Sequence, residues 1–178
     1  IEKLAANQAC YLAQELANLI DTVHNQGLSF DRLTDLVPEE YAVHWQETLK
    51  FLQIITEYWP QILAERQLID ASDRRNRLLR AQIDLWRQNP PVKRIVAAGT
   101  TAAFPLMKEL VKTVLSLEKG ELYLAGIDKF LEDEAWEKID ETHPQHELKE
   151  LLDYLTVRRE DIPDLQAPEN FGREVLIS

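Results

Sequence analysis

The residues of this chain that could do chemistry fall in two short phrases. Val96-Ala97-Ala98-Gly99-Thr100-Thr101 reads as a strand, a tight turn and a helix start, an arrangement whose free amides can hold a phosphate. Asp128 closes Ala125-Gly126-Ile127-Asp128 after a second apolar run, where nucleotide enzymes place a metal-binding carboxylate. Together they would form a nucleotide-hydrolysing site, with Gly99 at the phosphate and Asp128 on magnesium. The Gly-x4-Gly-Lys-Ser/Thr spacing of a phosphate loop is missing, and Lys108 lies well inside the following helix. A plain turn at Gly99 and a capping carboxylate at Asp128 are therefore the favoured expectations.

A third group is basic. Arg74, Arg75, Arg77, Arg80 and Arg87 share one helical segment, and at 100° per residue Arg77, Arg80 and Arg87 fall opposite Leu78, Leu79 and Trp86. Arg74, Arg77, Arg80 and Arg87 are thus candidate contacts to a DNA backbone, or partners for nearby acids. The charge balance favours pairing. Residues 71 to 119 carry 10 basic and 4 acidic side chains, whereas the flanking blocks together hold 27 acids. The whole chain has a net charge of −11, which opposes nonspecific nucleic-acid binding. His143-Pro144-Gln145-His146 lacks a third ligand nearby, so no zinc site is expected, and His24 and His44 read as packed or solvated. Glu132-Asp133-Glu134 reads as the polar first turn of a helix. The single cysteine, Cys10, excludes an internal disulfide and is expected to be small and buried.

The elements that must position these residues follow from periodicity. Leu12, Leu16, Leu19, Ile20 and Val23 mark one stripe of a long helix ending at Gly27. A short turn capped by Asp31, with Leu33 and Leu36, leads to Pro38, which opens a second helix running through Trp45, Leu49, Leu52, Ile55 and Ile62. Pro60 lies inside that pattern, which predicts a kink near Trp59 instead of a stop. Ser72 or Asp73 caps a third helix ending before Pro90-Pro91. Lys93 to Ala98 then reads as a buried parallel strand, Thr101 or a neighbour caps a helix through Leu117 that Gly120 closes, and Glu121 to Ala125 reads as a second strand. Helices around Asp133–Ile139 and His146–Tyr154 follow, then an irregular stretch from Ile162 to Pro168. The expected fold is mainly α with a small α/β part: a long-helix bundle over residues 1–91, followed by a βαβ unit and helical tail over 92–178. No apolar run suits a membrane span and no signal peptide is evident, so a cytoplasmic protein is expected. Ile1 and the closing run Arg173-Glu174-Val175-Leu176-Ile177-Ser178 read as cut ends of a longer protein.

Several phrases in order resemble one family. They are Gly27-Leu28-Ser29-Phe30-Asp31-Arg32-Leu33, Leu36-Val37-Pro38-Glu39-Glu40, His44-Trp45-Gln46-Glu47-Thr48-Leu49-Lys50-Phe51-Leu52, Trp59-Pro60-Gln61-Ile62-Leu63-Ala64-Glu65-Arg66 and Asp73-Arg74-Arg75-Asn76-Arg77-Leu78-Leu79. Ala97-Ala98-Gly99-Thr100-Thr101, Gly126-Ile127-Asp128, His143-Pro144-Gln145 and Leu148-Lys149 continue the series. Together they resemble the AddB subunits, of the alphaproteobacterial type, of the AddAB helicase-nuclease that repairs double-strand breaks. The resemblance implies an AddA-type helicase-nuclease partner and DNA in the full-length complex. It also implies that the βαβ unit is a partial P-loop domain of a superfamily 1 helicase, with the preceding helices as its insertion. An active helicase has an Asp-Glu pair after the first strand and a Gly-Asp followed by glutamine after the second. Here Ala98, Gly99 and Thr100 stand near the first position, and Asp128 lacks the following glutamine, so the implied module is inactivated and holds no cofactor. The expected role is a DNA track or a subunit-contact scaffold. Two other readings stand beside it: a weak nucleotide-binding domain, and a stand-alone helical interaction domain that self-associates through its strands.

Overall fold

The structure is a computed structural model that describes residues 6–30 and 51–165. Asp31, Leu33, Leu36, Pro38, His44, Trp45, Leu49 and the run Arg173–Ser178 lie outside the described residues.

Helix α1 spans Ala6–Asn25. Its inner stripe is Leu12, Leu16, Ile20 and Val23, of which Ile20 is buried. Leu19, expected on that stripe, is exposed, as is Cys10. Both corrections have one cause: at 100° per residue these positions fall outside the narrow arc that meets the next helix. Past α1 the chain turns at Gly27, whose φ of 68° suits glycine.

Residues 51–53 are helical and lead into a π turn at Ile54–Tyr58, followed by α2 at Trp59–Arg66. Here the irregularity expected at Pro60 takes a definite form. Proline has no amide hydrogen to donate, and its ring crowds the carbonyl four residues back, that of Thr56. Widening the turn relieves this, with the Trp59 amide reaching Ile54 and the Thr56 hydroxyl donating to the Leu52 carbonyl at 3.2 Å. The helical path continues through the proline.

Helix α3 spans Ala71–Gln88 and its N-cap is Asp70, not Ser72 or Asp73. The Asp70 carboxylate caps no amide of α3. It accepts the Trp59 indole Nε1–H at 2.9 Å and so ties α2 to α3. Ser72 is buried inside the helix, where its hydroxyl lies 2.9 Å from His24 Nδ1. Asn76, also buried, donates to the His24 carbonyl at 2.6 Å. That carbonyl belongs to the last turn of α1, where intrahelical donors run out. Thus the inner arc of α3 is Ser72, Asn76, Leu79, Ile83 and Trp86, and Leu78, expected inside, is 58% exposed.

The α/β part is a two-stranded parallel sheet, β1 at Ile95–Ala98 and β2 at Gly120–Tyr123, joined by α4 at Pro105–Ser116. Val96 pairs with Glu121 and Ala98 with Tyr123. Helix α4 starts at Pro105 after Phe104, with no side-chain cap, so Thr101 does not serve as one. Instead the Thr101 hydroxyl donates to the Glu147 carboxylate. Gly120 opens β2 instead of closing the helix, and the reason is steric: a Cβ there would lie 1.7 Å from the Val114 carbonyl oxygen. Short helices α5 at Asp133–Glu137 and α6 at His146–Leu155 follow, with Asp133 and Glu134 in the acidic first turn of α5. A 3-10 turn at Arg159–Asp161 comes last.

One apolar core cluster joins α4 and α6: Ala102, Val111 and Leu151, with Met107, Leu122, Leu124 and Leu155 against them. Leu122 alternates with Glu121 and Tyr123, so this cluster covers one face of the sheet and leaves the other to water. Val96, on that second face, is 45% exposed, which corrects the expectation of a fully buried strand. Among the described residues, then, the fold is mainly helical with a small parallel sheet, and none of the helices is long and apolar enough to cross a membrane.

Candidate functional site

The two phrases singled out for phosphate and metal chemistry lie in the turns that leave β1 and β2. Gly99, with φ at 68°, begins the first turn, and its amide donates to the Tyr123 carbonyl at 3.4 Å. Thr100 bends the chain further, its hydroxyl accepting the Ala102 amide at 3.0 Å. Ala102 is almost fully buried with φ at 52°, a left-handed conformation that costs an alanine about 1 kcal/mol. Burial in the core cluster and the Thr100 bond hold it there. The Gly99 and Ala102 amides and the Thr100 hydroxyl are therefore engaged in shaping the chain.

Asp128 is engaged in the same way. One carboxylate oxygen, Oδ1, accepts the amides of Phe130 at 2.9 Å and Leu131 at 3.0 Å, a side-chain turn of the kind aspartate favours. Its own amide donates to Gln145 Oε1 at 3.0 Å, and its carbonyl accepts Arg159 Nη1 at 3.1 Å. Gln145 also donates through Nε2 to the Gly126 carbonyl at 2.9 Å. Thus Gly126-Ile127-Asp128 and His143-Pro144-Gln145, distant in sequence, meet in space through one glutamine amide. Arg159 completes the clamp. Its guanidinium is nearly buried, lies 4.8 Å above the Trp136 ring and bonds Asp133 at 2.7 Å.

His143 accepts the Gln145 amide through Nδ1 at 3.1 Å, and His146 opens α6 with Glu150 3.7 Å away. Glu150 is held below the usual carboxylate range, chiefly by its hydrogen bond from Lys108 at 2.8 Å. Asp140 is lowered as well, first by the Thr142 hydroxyl and then by the Thr142 amide.

The arginines of α3 differ in their partners. Arg77 chelates Asp73 through Nε and Nη2 at 3.1 and 2.8 Å, one turn back on the same helix. Arg87 reaches Glu109 on α4 at 2.9 Å. Arg75 bonds Asn25 and stacks 5.2 Å above the Phe104 ring. Arg74 and Arg80 are exposed, with no acidic partner among the described residues. They stand about 120° apart around the helix axis.

A network that sequence reading missed covers the open face of the sheet. Arg94, just before β1, donates to both oxygens of Glu121 and to the Tyr123 hydroxyl. The Arg94 bond, followed by that from Tyr123, holds Glu121 below the usual glutamate range, and the bond to Glu121 raises Tyr123. The strand register offered the signal: Glu121 and Tyr123 alternate onto the face that Val96 and Ala98 share. Trp136 and Arg159 carried no such signal, since nothing in spacing joins a helix residue to a later turn.

Comparison with protein-family models, with characterised proteins and with solved structures found no match for this chain.

Proposed function

We propose that the chain is a non-catalytic, helicase-like module of a DNA double-strand-break repair helicase-nuclease, acting as a subunit-contact scaffold. On this reading its α/β part is a partial P-loop helicase-like domain, with Ala98, Gly99, Thr100 and Asp128 at degenerate motif positions and no cofactor of its own. The observation that carries it is the state of Asp128. Its Oδ1 accepts two backbone amides, so the carboxylate holds a turn, a structural role that needs no nucleotide. The order of the family-like phrases supports the repair context, and that context implies a cytoplasmic location with an AddA-type partner.

A contact role is preferred to a DNA track because Arg77 and Arg87 are spent on acids. The track remains the second reading, favoured by Arg74 and Arg80, which have no acidic partner among the described residues. Fluorescence anisotropy with single-stranded and duplex DNA at low and physiological salt separates the two, beside sedimentation with the helicase-nuclease subunit. The proposal expects association with the subunit and no salt-sensitive DNA binding by this chain. DNA binding that weakens steeply with salt and is lost in Arg74→Glu/Arg80→Glu overturns the contact role in favour of the track.

A further inference from the structure

Phe130 is 98% exposed, the highest value among the large apolar side chains of the described residues. An aromatic ring left wholly in water gives up the stabilisation that burial would bring. The loop beneath it is nonetheless held by several hydrogen bonds. The amides of Phe130 and Leu131 are fixed by Asp128, and Asp128 is fixed in turn by Gln145 and Arg159. On the other side, Lys129 Nζ donates to the Ile162 carbonyl at 2.5 Å and to Asp164 at 2.6 Å. The backbone that carries the ring is thus held before any partner arrives. A held backbone beneath an exposed aromatic suits a binding anchor, because only the rotamers of the ring are left to be ordered on binding.

The surroundings specify the partner's charge. From Asp128 to Glu141 the chain has seven acidic and two basic side chains. Lys129 pairs with Asp164, Lys138 with Glu134 and Arg159 with Asp133, so the acids of the segment still outnumber the cations beside them, with Asp133 and Glu134 95% and 82% exposed. Such a rim repels the phosphates of nucleic acid and of anionic lipid, and attracts lysine and arginine.

We infer that the 128–132 loop, with the first turn of α5, is a protein-docking knob, with Phe130 as the anchor for an apolar pocket rimmed by basic residues on another protein. This deepens the contact role proposed above by naming its surface, and it rests on that reading. The direct experiment places a photoreactive benzoylphenylalanine at position 130 of the full chain in its source cells. A control chain carries it at Leu28, which is 65% exposed on a different part of the molecule. The expected result is an adduct specific to position 130, mapping to an apolar segment flanked by Lys or Arg in one protein. That protein, once purified, should bind the chain about tenfold or more weakly when Phe130→Ala is introduced, with thermal stability unchanged. Glu132→Lys/Glu134→Lys should weaken binding several-fold, an effect that shrinks as salt rises.

Absence of a specific adduct overturns the inference. So does an adduct to nucleic acid, to lipid or to another copy of the chain, or a captured partner indifferent to Phe130→Ala. The two proposals fail separately. If subunit binding survives Phe130→Ala, the contact role stands and the knob is wrong; if the captured protein is no helicase-nuclease subunit, the knob stands and the repair role is wrong.

Discussion

The α1–α3 layer and the α4–α6 core are both pairs of packed helices, yet they are held together by different forces. Between α1 and α3 the buried contacts include Ser72 on His24 and Asn76 on the His24 carbonyl, and beside them a cavity of about 430 Å³ is lined by Leu16, Ile20, Ile55 and Trp59. Between α4 and α6 the contact is apolar volume, with Val111 and Leu151 essentially inaccessible and Leu122 of the sheet beneath them. Directional bonds between a few atoms fix an orientation but stabilise modestly, whereas close-packed apolar volume stabilises strongly. The helical layer is therefore expected to yield first, and the α/β core last.

The largest effect should come from the core. Leu151→Ala removes a side chain with no exposed surface and should lower unfolding free energy by about 2–5 kcal/mol, measured by urea denaturation. A loss below about 1 kcal/mol would mean that the cluster is not the stabilising centre. Next comes Asn76→Ala. The His24 carbonyl keeps its bond from the Gly27 amide, so the loss should be near the lower end for a buried partner, about 1 kcal/mol. Equal losses at Asn76 and Leu151 would erase the contrast between the two layers.

Acid should then act on the α4–α6 seam. Glu150 titrates below its ordinary value of 4.5 because Lys108 bonds its charged form. A lowered folded value adds stability that is complete above that ordinary value and is lost as pH falls through the folded one. Glu150 is 48% exposed, so screening keeps its share under about 1 kcal/mol. Unfolding measured from pH 6 downward should show Glu150→Gln converging on the native protein as pH falls through the lowered folded value of Glu150. The smallest effect is expected at Arg77→Ala, whose exposed pair with Asp73 should contribute about 0.3–0.5 kcal/mol.

The same contrast explains what the sequence disclosed. Where apolar side chains make the contact, periodicity located the elements: the βαβ unit, α4 and α6 all appear, with shifts of one or two residues at strand ends. Where polar side chains make it, periodicity misled. Ser72 reads as a cap and Asn76 carries no apolar signal, so the inferred inner face of α3 rests on Leu78, Leu79 and Trp86 and takes in the exposed Leu78. The π turn was legible only as a disturbance at Pro60, since the choice between a kink and a widened turn depends on which carbonyl the ring crowds. At the candidate site, Asp128 holds a turn five residues ahead of α5, whose N-cap is Glu132, so the carboxylate caps a turn and not that helix. Its Gln145 and Arg159 partners were invisible because tertiary folding alone brings them close.

The most direct test of the account is calorimetric titration of the chain and its Asp128→Ala variant with magnesium-ATP, paired with thermal unfolding of both. A structural Asp128 predicts no saturable nucleotide binding by either protein and a variant less stable by about 1 kcal/mol. Saturable binding by the native chain that disappears in the variant, with stability unchanged, would contradict it and restore Asp128 as a metal-holding carboxylate.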